Sequence, residues 1–383
     1  FEVVSHGTTN PWGFDYDDYC EMFFTNNVIG HLWHLLPGAR YERMYGSHLN
    51  PNTFVSMTSA SDHLHFAGGL WSESRKEIGH PNLHDEDGGG HSHCGGMIYL
   101  GDNWPEQYRG KMFMCNTHGK RVNMDALRRV GSSYTAEHGQ DFLFANSDWF
   151  RGVELKYGPD GGVFLTDWTD LGECHDRDGI HRQSGRIYKI TYGKPSRLAA
   201  FDLQDLSTPE LIELQNHKND WFVRHARRIL QERAVADGDL PTAVRLLENN
   251  FRKSVDMTRK LRFLWCLHAI GQSGAVLEDL LHDSSEHLRV WGVRLLFESD
   301  LPKKNIAKEL ANLALRETSG LVRLYIAAGM AKVPNALRWA VATALVEKLP
   351  VADDERLLAM IWYAMEPIVL QDAGKALQFS MLS

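Results

Sequence analysis

Cysteine is scarce: five occur in 383 residues, an odd number with no pair in C-x-x-C spacing. That argues against a disulfide framework and leaves the redox compartment open. No apolar run approaches the roughly 18 residues of a membrane-spanning helix, and no signal-peptide pattern opens the sequence. The chain starts at Phe1 on a strand-like run and reads as an excised piece, so missing targeting signals say nothing of the parent. Positive charge is not in excess, with 41 Lys and Arg against 49 Asp and Glu. Without a basic stripe, nucleic acid is not an expected partner. Glycine nearly vanishes after residue 200: 26 of the 33 lie before it. Histidine follows, with 14 of 19 before Thr191. This asymmetry predicts two regions, with any chemistry in the first.

That first region reads as short strands rich in aromatic and β-branched residues. They are expected at Glu21–Thr25, Met97–Leu100, Lys111–Cys115, Val153–Tyr157, Gly162–Thr166 and Arg186–Tyr192. Tyr157-Gly-Pro-Asp-Gly-Gly162 is a turn between two of them. Short antiparallel strands with Gly turns suggest a sandwich, barrel or propeller. Long loops at Tyr41–Gly96 and Asp167–Ser184 hold nine of the histidines. From Ser207-Thr-Pro-Glu210, a helix start with a capping hydroxyl and an early Pro, the pattern becomes helical. An Arg in an amphipathic frame recurs as Arg224, Arg262, Arg289, Arg323 and Arg356. A period in the thirties predicts an α-solenoid of four or five helix pairs, an ordinary bundle being the alternative. These arginines are expected to bridge neighbouring repeats through carboxylates.

Several blocks carry a family resemblance. Asn10-Pro-Trp-Gly13 with Phe14-Asp15, Pro37-Gly-Ala-Arg-Tyr41, Ile98-Tyr-Leu-Gly-Asp-Asn-Trp-Pro105 with Tyr108-Arg-Gly110, and Gly185-Arg-Ile-Tyr188 resemble glucose/sorbosone dehydrogenase-type β-propellers. Asn27-Val-Ile-Gly-His31-Leu-Trp-His34, Asp62-His-Leu-His65, Gly88-Gly-Gly-His91-Ser-His93 and Gly172-Glu-Cys-His175-Asp176 are similar to a bacterial membrane-bound dehydrogenase family. In that family such a propeller precedes HEAT-type repeats and often a C-x-x-C-H cytochrome c domain. The resemblance implies C-terminal propeller blades over 1–192 (earlier blades missing), a linker at 193–206 and HEAT-like helical repeats over 207–383. It implies an extracytoplasmic, periplasmic or membrane-associated oxidoreductase that oxidises a carbohydrate hydroxyl with pyrroloquinoline quinone and Ca²⁺ and passes electrons to a cytochrome. The alternative is a non-catalytic carbohydrate- or protein-binding propeller with a helical adaptor. No C-x-x-C-H is present, so this chain carries no covalent haem. Thr9 replaces the basic residue that often precedes the family's N-P, and Asn26 the acidic residue of its strand end.

The imidazoles are the candidate chemistry, because their pKa lies near neutrality. His31, His34, His63 and His65 are the catalytic candidates, with Asp62 as an orienter of the second pair. By resemblance, His31 and His34 lie where such propellers line a central channel. His91 and His93 follow three glycines and would point the same way in an extended loop. With Asn10, Asn27 and Arg151 they are the cofactor-binding candidates. Arg151 could reach an anion or stack on Trp149. The acidic loop with Asp170, Glu173, His175 and Asp176 is the candidate metal site, for Ca²⁺ through oxygen ligands.

Overall fold

A computed structural model of the chain describes residues 2–27, 29–62, 92–171, 181, 183–194, 198–237, 241–347 and 354–381. Its first half holds three antiparallel sheets. The first contains β1 (Asn10–Tyr16), β2 (Met22–Asn27) and β3 (Leu32–Leu35). The second runs β4 (His93–Ile98), β5 (Met112–Asn116), β6 (Arg121–Val130) and β7 (Ser133–His138), with β8 (Leu143–Phe144) also paired to β6. The third has β9 (Gly152–Tyr157), β10 (Val163–Asp167) and β11 (Arg186–Ile190). All six expected strands are present within a few residues. The turn at Tyr157–Gly162 forms as read, closed by Gly158 N–H donating to Gly162 O at 2.8 Å.

The three sheets meet through their first strands, β1 against β4 and β4 against β9. Glycine makes this approach possible. A Cβ on Gly13 would lie 1.9 Å from Gly96 N, and one on Gly95 would lie 2.6 Å from Glu154 Cα. These matches set the three strands in the same direction. The starts of β1, β3, β4, β6, β9 and β11 therefore lie at one end, here called the upper end. Buried Phe23, Met97, Ile98, Phe113, Met114, Leu155 and Leu165 fill the space between sheets.

The second half is helical: α1 (Thr208–Glu213), α2 (Asp220–Asp237), α3 (Pro241–Lys253), α4 (Met257–Ala269), α5 (Leu277–Leu281), α6 (Glu286–Glu298), α7 (Lys303–Arg316), α8 (Gly320–Gly329), α9 (Asn335–Val346), α10 (Glu355–Val369) and α11 (Ala373–Ser380). The chain is thus a mixed β and α protein. The start at Ser207 forms a capping box with Glu210, which satisfies otherwise unpaired N–H groups. Helix α2 packs on α4, α6 on α8, and α8 on α10, while α7 packs on α9. Among the described residues, no helix is long and apolar enough to cross a membrane.

The helices α2, α4, α6, α8 and α10 hold the lower end of the sheets. Arg224 Nη1 donates to Asp15 at 2.7 Å and Arg262 Nη2 to Asp18 at 3.1 Å. Trp291 Nε1 donates to Tyr19 O, Arg294 to Cys20 O, and Tyr325 OH to Glu21 at 2.8 Å. Arg356 reaches the carbonyls of Tyr134 and Ser59. Only part of the expected role of the recurring arginines appears. Arg289 does bridge to a carboxylate of the next helices, Glu317, at 2.7 Å, and Arg262 to Asp220 at 3.1 Å. Arg323 donates instead to Leu345 O, while Arg224, Arg262 and Arg356 clamp the β half. One continuous buried apolar cluster joins the two halves.

Candidate functional site

The upper end gathers polar side chains that β geometry alone brings together. Arg121, Asn123 and Asp125 alternate along β6 and so share a face. His31 enters β3, His93 opens β4, Asn116 closes β5, and His138 closes β7 opposite Asp125. His31 Nε2 lies 2.6 Å from Asp125 Oδ2, and both side chains are fully buried. The His31 ring lies against His93, with centroids 4.7 Å apart. Asn116 Nδ2 sits 3.4 Å from His93 Nε2 and donates to Asn123 Oδ1 at 3.0 Å. Asn123 in turn donates to Asp141, which also holds Arg121 at 2.8 Å. His138 joins Asp125 through Nδ1 and Asp141 through Nε2, each at 3.4 Å. Its side chain is 27 % accessible. The network therefore leads from a buried imidazole to solvent.

The same end holds two strained residues. Thr8, just before β1, and Thr169, just after β10, both have φ of 61°. A β-branched residue there is an outlier, and such strain concentrates at functional sites. Thr169 is kept in place by Asp167 Oδ1, which accepts its N–H at 2.8 Å, and by Arg186.

His34 does not join His31. It points toward the lower end, where Nε2 meets Glu21 Oε2 at 3.0 Å and Nδ1 meets Ser133 Oγ at 2.9 Å. A Ser–His–Glu row suggests a nucleophile, but all three side chains are buried and Tyr325 of α8 closes over Glu21. Burial pushes the Glu21 carboxyl up, yet the His34 bond and the Arg294 charge outweigh it and hold it below its ordinary range. This is a junction between the two halves rather than a substrate site.

The other candidates divide in the same way. Asn27 is buried, 3.7 Å from Cys94 Sγ. Asn10 is exposed, with its N–H bonded to Asn26 Oδ1 at 2.8 Å. That amide also donates to Ile29 O, which a carboxylate could not do. Arg151 fastens a loop: its guanidinium donates to the carbonyls of Asp148, Phe150 and Leu171. Asp170 accepts from Trp168 Nε1 at 3.3 Å. His63, His65, His91, Glu173, His175 and Asp176 lie outside the described residues. Among the described residues, no group of three or more His, Cys, Asp or Glu is arranged to hold a metal ion.

Comparison with known proteins finds a family match over the β half. A family described as a domain of unknown function, DUF7133, matches residues 1–194, a little over half of the chain. The chain belongs to the DUF7133 family. The match takes in all three sheets and the whole His31–Asp125–His138 network, and it ends before the helices. No curated protein matches this DUF7133 chain. A crystal structure from Thermus thermophilus, described as an oxidoreductase (glucose dehydrogenase), is similar at 17% identity and a TM-score of 0.31, over 49% of this chain and 47% of that one. The chain thus spans about half the length of that structure.

Asp125, His138, Asn116, Asn123 and Asp141 were not singled out by sequence reasoning. The signal was there in Arg121-Val-Asn123-Met-Asp125, polar residues at every second position. The charged run that follows, Leu127-Arg-Arg-Val130, hid the strand.

Proposed function

We propose that this chain is part of an oxidoreductase that oxidises a hydroxyl compound, a sugar or related alcohol, with His31 as general base. The observation that carries this reading is the buried His31–Asp125 pair at 2.6 Å beside His93. Asp125, accepting from Nε2, stabilises the imidazolium that forms when the base takes a proton. The hydroxyl proton goes to His31, and hydride goes to a two-electron acceptor. The three sheets are read as blades of a β-propeller and the paired helices as a HEAT-like solenoid. An extracytoplasmic location and a cytochrome acceptor belong to the same reading.

Pyrroloquinoline quinone with Ca²⁺ is the cofactor pair this reading calls for. The described residues do not fit it. An anionic quinone needs cations, but Arg121 is engaged by Asp141, Arg151 by three carbonyls, and Arg186 by Asp167. Asp125, Asp141, Asp167 and Asp170 stand at this end against those three guanidiniums. No step is therefore assigned to the quinone or to Ca²⁺, and the oxidant is defined only by its electron count.

The test is dye-linked turnover of the purified protein on a panel of sugars and alcohols, with and without added quinone and Ca²⁺. Turnover that His31→Gln lowers by about 10²–10⁴-fold supports the reading. Absence of turnover under both conditions overturns it. That outcome would favour a carbohydrate-binding module, a reading supported by the aromatic faces of Trp149 and Trp168, 37 % and 60 % exposed at this end.

A further inference from the structure

We infer that Trp149 and Trp168 form a stacking subsite for a glycosyl ring, so that the upper end takes a neutral oligosaccharide chain rather than a free monosaccharide. This rests on the reading of the ligand as a sugar. The two indoles sit on a short extension of the β9–β10 ladder, in which Trp168 N–H donates to Arg151 O and Asp170 N–H to Trp149 O, each at 3.0 Å. The extension leaves the sheets beside the polar network: Thr117 Oγ1, next after Asn116, donates to Gly152 O at 2.7 Å. Trp149 and Trp168 are diagonal neighbours across it, a placement about 7–8 Å apart, close to the width of a sugar ring with its hydroxyls. Both are exposed to solvent, although side chains this large and apolar are mostly buried.

The surroundings hold these faces out instead of folding them in. Trp168 Nε1 donates to the buried Asp170 at 3.3 Å, which fixes the ring. Asp167 Oδ1 accepts the N–H groups of Arg151 and Thr169, at 2.9 and 2.8 Å. It thereby ties the two strands of the extension together and holds Thr169 at its φ of 61°. An indole fixed in this way loses little rotamer freedom when a ring stacks on it, which favours binding. Hydrogen-bonding groups border the faces. The Arg186 side chain, 47 % exposed, donates to Thr169 Oγ1 at 3.3 Å and brings a planar fork of N–H donors to the edge. The exposed His181 meets the Trp149 ring edge to face, with centroids 5.4 Å apart. Charge is balanced, with Asp167 and Asp170 against Arg151 and Arg186, so neither an anion nor a cation is favoured. Apolar faces with a polar border and no net charge match a pyranose, whose C–H face stacks on an indole while its hydroxyls bond at the edge.

The experiment titrates the full chain and its variants with neutral gluco- and manno-oligosaccharides, from the monosaccharide to longer chains, by calorimetry. Affinity should rise with chain length. Trp168→Ala should weaken the longer chains by about tenfold, and Trp168→Phe should recover most of that loss. Trp149→Ala reads the same subsite from its other side. Both indoles are exposed, so the unfolding midpoints should stay close to that of the parent. Affinity that does not rise with chain length overturns the proposal, as do Trp168→Ala and Trp149→Ala variants that bind as tightly as the parent. Dye-linked turnover separates the subsite from the oxidoreductase reading. In Trp168→Ala, KM for the longer chains should rise by about tenfold, with kcat and the monosaccharide kinetics unchanged. Length-dependent binding in a protein that oxidises no sugar keeps the subsite and discards the oxidoreductase reading. Turnover with the same KM for long chains in parent and variant discards the subsite and keeps that reading.

Discussion

His31 and His34 stand three residues apart, and each is buried against a carboxylate. They end in opposite situations because they point to opposite ends of the sheets. His34–Glu21 is closed off by Ser133 and by Tyr325 from α8. His31–Asp125 continues through His138 to water. Burial of an imidazole with a carboxylate is therefore no mark of chemistry in itself. What separates the two is whether the row of polar atoms ends inside protein or at solvent. The lower pair helps to hold two halves together, and the upper pair stands in a polar row that ends at the partly exposed His138.

Removing a partner of the lower pair should give the largest effect. Glu21→Ala leaves His34, Tyr325 and the charge of Arg294 facing a gap, and breaking such a buried cluster costs about 3–5 kcal/mol. Chemical denaturation should show that loss. Asp125→Ala, which takes the partner from the fully buried His31, should abolish turnover, whereas Glu21→Ala should spare it in the molecules that stay folded. If the two variants lost equal stability and equal activity, the division of labour between the ends would be refuted.

The two histidines give a sharper version of the same contrast. His31→Gln should lose about 10²–10⁴-fold in turnover. His34→Gln should keep turnover within a few-fold while losing about 1–3 kcal/mol, since it leaves polar groups unsatisfied. Measured together, kcat and the unfolding midpoint place each residue on one axis or the other. A catalytic loss in His34→Gln at full stability would move the active end to the helical junction.

A pH effect on stability is expected at the lower end. Asp17, in the β1–β2 turn that the helices grip, is pushed by burial and by the Glu21 charge up to about 8. Its folded-state value thus lies above its unfolded value near 3.8, and between the two the folded chain binds the extra proton. Stability from this group is complete below about pH 4 and is lost as pH rises to about 8, at up to about 1.4 kcal/mol per pH unit. Asp17→Asn should flatten that slope, because an amide oxygen can accept the same N–H bonds from Tyr19 and Glu21. Unfolding midpoints at pH 5, 7 and 9 test it. An unchanged slope in the variant would remove Asp17 from the account.

Much of the β half was legible because it depends on local pattern. The six expected strands and the Tyr157–Gly162 turn follow from alternation and turn chemistry, as does the helix start at Ser207. The helices were legible through the recurring Arg, but its targets were not. Arg224 and Arg356 meet groups 209 and 222 positions away in sequence, which no period can encode. The site was half legible for the same reason. His31 and His93 stood out as residue types. Asp125 did not, because its role comes from pairing with His138 and from sheets meeting at Gly13, Gly95 and Gly96. The separation of His31 from His34 follows from the strand itself. The His34 ring packs at 5.3 Å from Phe23 and 5.0 Å from Tyr134, on the side where the helices dock.

The smallest expected effect concerns strain at the upper end. Thr169 holds a φ of 61° that a β-branched residue resists by about 1–3 kcal/mol. Thr169→Gly relieves this strain. It also loses the Arg186 bond to the hydroxyl and adds unfolded-chain entropy of about 0.5–1 kcal/mol. The balance predicts a net gain of no more than about 1 kcal/mol, read as a small rise in the unfolding midpoint. If the upper end is the working end, that gain comes with lower turnover, because Arg186 loses its bond to the Thr169 hydroxyl and residue 169 gains conformational freedom. A variant that is both more stable and equally active would show that the strain at Thr169 serves only the turn in which it sits, and the functional argument from strain would then rest on Thr8 alone.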